Sequence, residues 1–269
     1  MRVPFIKMHG LGNDFIVLDG RSGALPVMTA HAARRLADRR EGIGCDQLII
    51  LEPSDHHDFR MRIFNSDGGE VEACGNASRA VALLHGAPAK VDTDGGVIRI
   101  SPRQRGAVVD MGAPRFDWDA IPLAYPMDTA AMPVAWEGLE SPMAVNVGNP
   151  HAIFFVDDAD AIELERLGPV IETDPVFPEA VNVNVASVVG DNHLALRVWE
   201  RGAGLTRACG TGACATAVAA IRKGHVSSPV KVSLPGGELE IAWEKGKPLF
   251  MFGPATESFR GEFEWDDYA

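Results

Sequence analysis

The feature that most constrains this chain is a pair of matching stretches, Arg62 to Gly86 and Arg197 to Lys223. Each runs arginine, β-branched residue, aromatic, polar residue, glycine-bearing loop, Ala-Cys-Gly and then an apolar helical run. Arg62 and Arg197 stand twelve positions before Cys74 and Cys209, and Asn65 and Glu200 stand nine before them. A second landmark agrees: Gly12-Asn13 and Gly148-Asn149 each open an apolar strand. The cysteines are 135 positions apart and the asparagines 136. Two independent landmarks in one register imply an internal duplication.

A duplicated chain of 269 residues divides into two modest, similar halves, since each is long enough to bury its own core. The first half is expected over residues 1–115 and the second over 116–256, with a last strand, 257–269, returning to the first. The apolar fraction of 46% and charged fraction of 23% are those of an ordinary soluble protein. No apolar run reaches the length of a membrane span, and the opening MRVPFIKMHG reads as a strand, so the cytoplasm is the expected compartment. A net charge of −12 disfavours nucleic acid and anionic membranes as partners and leaves a small molecule. It also requires that any bound carboxylate be held by local donors. A homodimer is the commonest association for such a chain.

The four cysteines show no disulfide framework, no C-x-x-C and no histidine at ligand spacing, so no metal site is expected. Cys45 and Cys214 read as small buried hydrophobes. Local patterns predict a helix from Thr29 as N-cap through Arg40, whose arginines form a solvated face, and a helix beginning at Cys74. In the second half a helix is expected near Ala159 to Ile171, strands near Val181 to Val189 and His193 to Trp199, and a β-meander from Val230 to Phe252. The Pro-rich segment 113–142 reads as an aperiodic crossing between the halves.

Cys74 and Cys209 are the residues that carry chemistry. A cysteine at a helix start meets unpaired amides and the positive end of the helix dipole, which favour the thiolate and lower the thiol pKa. The glycine after each lets an anion approach the same amides. Two such starts flanking one cleft suit one reaction: removal of a proton from a carbon beside a carboxylate, and its return from the opposite face. Aimed amides stabilise the enolate-like transition state by roughly 3 kcal/mol each, so no cofactor is required. A cysteine hydrolase would pair one thiol with a histidine, for which only His151 is well situated. That reading leaves the second Cys-Gly start unexplained. A pyridoxal-phosphate enzyme needs a Schiff-base lysine and phosphate loop, and no lysine here has that context.

With these motifs together, the chain resembles the diaminopimelate epimerase family: MHGLGNDF at 8–15, GIGCDQ at 42–47, RIFNSDGGEVEACGN at 62–76, NVGNPH at 146–151, FPEAVNV at 177–183 and VWERGAGLTRACGTGAC at 198–214. The resemblance implies an α/β fold of the α+β type: two pseudo-symmetric halves, each a curved, mostly antiparallel sheet wrapped round a central helix, with the active site in the cleft between them. It implies cofactor-independent conversion of LL-2,6-diaminopimelate to the meso isomer, feeding lysine and peptidoglycan synthesis. Cys74 and Cys209 would be the acid/base thiols, and the amides of Gly75, Asn76, Gly210 and Thr211 would hold the reacting carboxylate. Asn13, Asn65, Asn149, Asn182, Glu200 and Arg201 would recognise the amino and carboxylate groups, with Gln47 and His151 lining the site. Arg201 suits a distal carboxylate and Glu200 an ammonium. The chain departs from the family's usual pattern at Ala77, Ala80 and Cys45. The nearest alternative is a two-cysteine proline or hydroxyproline racemase or epimerase. The alternative of another class is a non-catalytic amino-acid binder.

Overall fold

The structure, a computed structural model, describes every residue except Ala73 and Arg105; Ala73, the alanine of the first Ala-Cys-Gly, lies outside the described residues. The chain divides into two compact units, Met1–Asp110 with Gly253–Ala269, and Met111–Phe252.

The first unit contains β1 (Arg2–Gly10), β2 (Asn13–Asp19), α1 (Ala30–Ala37), β3 (Gln47–Glu52), β4 (Phe59–Asn65), β5 (Glu70–Val71), α2 (Gly75–His85), β6 (Ala89–Thr93), β7 (Gly96–Arg103) and β8 (Gly106–Asp110). β1 pairs antiparallel with β2, β2 parallel with β3, and β3 antiparallel with β4. β4 takes β5 antiparallel and β6 parallel, and β6–β7–β8 close as a meander. The last strand, Thr256–Glu264, pairs antiparallel with the outer edge of β1.

β2 and β3 read as continuous apolar runs because both faces of this sheet are covered. Ile16, Leu18, Leu48 and Ile50 point to one face and pack on Ala32, Ala33 and Leu36 of α1. Behind the other face runs α2, which packs on β1, β7 and β8. Gly75 to Ala82 are all buried in succession, the mark of a helix enclosed on every side rather than laid on a surface. Gly75, Ala77, Ser78, Ala80 and Ala82 let the strands close around it, and the long side chain of Arg79 is enclosed with them.

The second unit contains β9 (Ala135–Trp136), β10 (Leu139–Glu140), β11 (Met143–Asn146), β12 (Pro150–Phe155), α3 (Leu164–Glu172), β13 (Asn182–Gly190), β14 (His193–Glu200), β15 (Gly204–Thr206), α4 (Gly210–Lys223), β16 (Val230–Leu234), β17 (Gly237–Ala242) and β18 (Phe250–Gly253). Its pairings repeat those of the first unit step by step. β11–β12 is antiparallel, β12–β13 parallel and β13–β14 antiparallel. β14 takes β15 antiparallel and β16 parallel, and β16–β17–β18 form the meander. α3 stands where α1 stood and α4 where α2 stood. The Arg62/Arg197 and Cys74/Cys209 registers therefore mark equivalent places: strand β4 or β14, then the start of the enclosed helix.

Three local expectations change. α1 ends at Ala37 with Asp38 as its C-cap, and Arg39, exposed like Arg34, Arg35 and Arg40, also reaches the carboxylates of Asp14 and Asp46. α3 begins at Leu164, not Ala159, because the preceding backbone is already engaged. Ser187 Oγ takes the Ala159 N–H at 2.6 Å, and the Arg197 guanidinium takes the carbonyls of Ala159 and Ile162 at 3.3 and 2.7 Å. The segment 113–142 carries the β9–β10 hairpin, whose Trp136 stacks on Phe177 and meets Phe154 edge-on.

Candidate functional site

Each enclosed helix is N-capped by a cysteine. Cys74 (φ −148°, ψ 108°) and Cys209 (φ −121°, ψ 108°) have extended backbones, and their sulfurs accept the amides of Ala77 and Gly212 at 3.4 and 3.3 Å. This is the acceptor position that serine or aspartate usually fills. The Ser78 and Ala213 amides reach the cysteine carbonyls at 3.0 Å, as the first rung of each helix. The amides of Gly75 and Asn76, and of Gly210 and Thr211, precede that rung and fall outside the intrahelical ladder. Each unit thus joins a sulfur to two amides outside the ladder at the positive end of a helix dipole, an arrangement suited to an anion beside a thiol.

In the first unit, Asn13 lies beside Cys74, its Oδ1 3.9 Å from the sulfur and accepting from the Asn76 side-chain Nδ2 at 3.1 Å. Its other end, Nδ2, donates to Asp46 Oδ2 at 3.0 Å. Gln47 and Asn65 face each other across the β3–β4 register, Gln47 Nε2 donating to Asn65 Oδ1 at 3.0 Å. Gln47 Oε1 is buried without a hydrogen-bond partner. An orphaned acceptor of this kind costs stability and marks a place where a donor is expected to arrive.

In the second unit, the Asn182 side chain bridges the Pro150 carbonyl at 2.8 Å and the Arg201 amide at 3.0 Å, so it fixes the turn that follows Glu200. Arg201 is exposed, one guanidinium nitrogen on the Glu179 carbonyl at 2.9 Å. Glu200 accepts the Thr206 hydroxyl at 2.5 Å. His151 is fully buried, with Nε2 on Asn149 at 2.9 Å and Nδ1 on Asn184 at 3.2 Å. It sits behind Asn149 and holds it, rather than presenting a face of its own.

Cys209 is not poised as the thiolate that a helix start favours. Burial pushes the Cys209 thiol well above its ordinary pKa, and the Glu200 carboxylate pushes it further; the Thr211 hydroxyl and Gly212 amide oppose this without reversing it. The dipole at a helix start favours a thiolate, but here desolvation and a neighbouring negative charge prevail. Cys209 is a thiol in this conformation.

Four positions that sequence reasoning passed over complete these sets. Asp46 anchors Asn13, Asn184 anchors His151, Thr206 anchors Glu200, and Glu172 takes both the Trp199 indole N–H at 2.7 Å and the Gly202 amide at 2.8 Å. Asn184 had a visible signal: with Asn182 it places polar groups at alternate positions of an otherwise apolar strand, which puts both on one face.

The family model for diaminopimelate epimerase matches residues 5–116 and 143–257. An Erythrobacter litoralis protein named diaminopimelate epimerase is 68% identical over 100% of both chains. The chain belongs to the diaminopimelate epimerase family. A Sphingopyxis alaskensis protein of the same name is 64% identical over 98% of each chain. Among solved structures, a probable proline racemase from Agrobacterium radiobacter shares the fold at a TM-score of 0.67 and 18% identity, covering 96% of this chain and 92% of that one.

Two departures from the usual diaminopimelate epimerase pattern now have a physical account. Ala77 is fully buried in the first turn of α2, where its amide donates to the capping Cys74 sulfur; a helical position needs no glycine. Cys45 is buried and its thiol is pushed up to about 12, chiefly by desolvation, so it is inert as a nucleophile.

His151 supplies a measurable signature. Burial, the largest influence, lowers its pKa from 6.5 to about 4, with Arg201 adding to the depression and Asn184 opposing it. The folded protein therefore refuses a proton that the unfolded chain accepts between these values. Its contribution to stability is complete above pH 6.5 and is lost as pH falls towards 4, by about 3 kcal/mol in all. Urea unfolding at pH 7.5 and pH 5 is expected to show a larger drop for the wild type than for His151→Gln, by about 2 kcal/mol. An equal drop in both would remove His151 from the pH dependence.

Proposed function

We propose that this protein interconverts LL- and meso-2,6-diaminopimelate by proton transfer between two thiols, without a cofactor, in the cytoplasm. The observation that carries the reading is the equivalence of the two cysteine caps: the same sulfur, at the start of the same enclosed helix, in two units of one topology. Binding alone would need the amides and not two sulfurs.

In this mechanism the amides of Gly75, Asn76, Gly210 and Thr211 hold the carboxylate at the reacting carbon. Cys209, kept protonated by burial and by Glu200, starts as the acid, which assigns the base to Cys74. The Cys74 thiolate takes the α-proton, the electron pair spreads onto the carboxylate against those amides, and the Cys209 S–H returns a proton to the opposite face. The thiol and thiolate have then exchanged, ready for the reverse reaction. Asn13, Asn65, Asn149, Asn182, Glu200 and Arg201 recognise the amino and carboxylate groups, with Arg201 on the distal carboxylate and Glu200 on an ammonium.

Incubating the reduced protein with LL-diaminopimelate in D2O, with no additive, is expected to give α-deuterium uptake together with the meso isomer. Exchange with proline or hydroxyproline and none with diaminopimelate would keep the chemistry and overturn the substrate. Absence of exchange with all of them would leave an amino-acid binder.

A further inference from the structure

We propose that Asp46 is a positioning residue for this reaction: its carboxylate fixes which end of the Asn13 amide faces Cys74. The proposal rests on the two-thiol reading and deepens it. An asparagine side chain has a donor end and an acceptor end of nearly equal shape, so its polarity is decided by its partners. An ionised carboxylate accepts only. Asp46 Oδ2 receives Asn13 Nδ2 at 3.0 Å, so Asn13 Oδ1 is necessarily the end turned towards Asn76 Nδ2 and the Cys74 sulfur. A carbonyl there receives the S–H of a protonated Cys74 or an N–H of a substrate ammonium. An NH2 group there would repel the ammonium.

Asp46 is itself built in. Its Oδ2 also takes the Asp14 amide at 3.0 Å, while its own amide donates to Asp14 Oδ1 at 3.0 Å and to the Asp14 carbonyl at 3.0 Å. Arg39 closes the arrangement, reaching Asp46 Oδ1 at 2.7 Å and Asp14 Oδ1 at 2.6 Å. Lys7, buried beside them, bonds Asp14 Oδ2 and the Gly44 carbonyl. Burial opposes ionisation of Asp14, but Arg39 and Lys7 outweigh it and hold this carboxyl well below the ordinary range. The turn bearing Asn13 and the loop bearing Asp46 are thus clasped to one another through charged groups.

The test is a double-mutant cycle read by α-deuterium uptake from LL-diaminopimelate. Asp46→Ala is expected to lower kcat/KM by about tenfold to a hundredfold, the usual effect of a misplaced contact at a reacting centre. In an Asn13→Ala background the same change is expected to cost less than twofold, because Asp46 acts through Asn13. Asp46→Asn is expected to recover most of the loss, since its oxygen still serves the two amide donors while only the Arg39 bond is forfeited. Arg39→Met, which breaks the ion pairs and leaves Asp46 Oδ2 in place, is expected to lower the melting temperature with exchange kept within threefold. Additive losses from Asp46→Ala and Asn13→Ala, or an Arg39→Met variant as inactive as Asp46→Ala, would make Asp46 merely structural and overturn the proposal. A wild type with no exchange at all would instead sink the underlying reading.

Discussion

Cys74→Ser and Cys209→Ser are each expected to fold, to melt within a few degrees of the wild type, and to lose epimerisation by 10²-fold to 10⁴-fold. The separation follows from the double task each sulfur performs. As a cap it accepts one amide, from Ala77 or Gly212, and a serine hydroxyl does this at least as well. As an acid or base it must exchange a proton near neutral pH, and a serine hydroxyl, far weaker as an acid than a thiol, cannot. Positioned general acid–base catalysis is worth about 10²-fold to 10⁴-fold. Proton-exchange kinetics and calorimetry on the same preparations decide the matter. A serine variant that is stable and keeps more than a tenth of the rate would show that the sulfur is only a cap.

The surroundings of Cys209 sharpen this. A helix start favours thiolate, yet Cys209 is 3% exposed and faces Glu200, and both conditions favour the neutral form. In this conformation the thiolate form is disfavoured. An acid that must hold its proton until a carbanion forms is well served by such a place. Glu200 is in turn aimed by Thr206, so the charge that keeps Cys209 protonated is held by a residue three positions before the cysteine.

The duplicated register was enough to locate the two enclosed helices and their cysteines, because a Cys-Gly helix start is a local pattern and its recurrence at one spacing is visible in the string. The strand plan was legible for the same reason: Leu48 to Leu51 is a short apolar run of the kind that a sheet covered on both faces accommodates, and Val181 to Val189 carries five valines, a β-branched strand signal. What stayed hidden depends on contacts distant in sequence. Arg197 takes the carbonyls of Ala159 and Ile162, and so delays α3 by five residues relative to a reading from periodicity. Arg39 stays exposed like its neighbours in the basic run, but its ion pairs with Asp14 and Asp46 form only in the folded chain. His151 has the composition of a site residue, but its ring is enclosed and its work is done through Asn149 and Asn184. Burial and partner, which decide a pKa or an amide's polarity, are properties of the fold and not of the spacing.

Gly168→Ala is the substitution expected to couple stability most directly to the proposed chemistry. Gly168 lies within α3 against the Trp199 ring, and a Cβ there would stand 2.4 Å from Trp199 Cγ and 2.5 Å from Cδ2. The indole cannot yield cheaply. It packs on the core of the second unit, and its N–H is held by Glu172 at 2.7 Å. Overpacking of this kind costs about 1–3 kcal/mol, a fall in melting temperature of the order of 5 °C for a protein of this size. The larger consequence is positional. Trp199 immediately precedes Glu200 and Arg201, and the same Glu172 that holds its ring also takes the Gly202 amide at 2.8 Å. Helix α3 therefore sets the depth of the turn that presents both residues. Displacing that turn by about 1 Å is expected to reduce α-proton exchange up to a hundredfold, while Val170→Ala, at an exposed position of the same helix, is expected to change neither property. If Gly168→Ala melts and exchanges protons as the wild type does, Trp199 is free to move without carrying Glu200 and Arg201 with it, and the turn must be held by Asn182 and Thr206 alone.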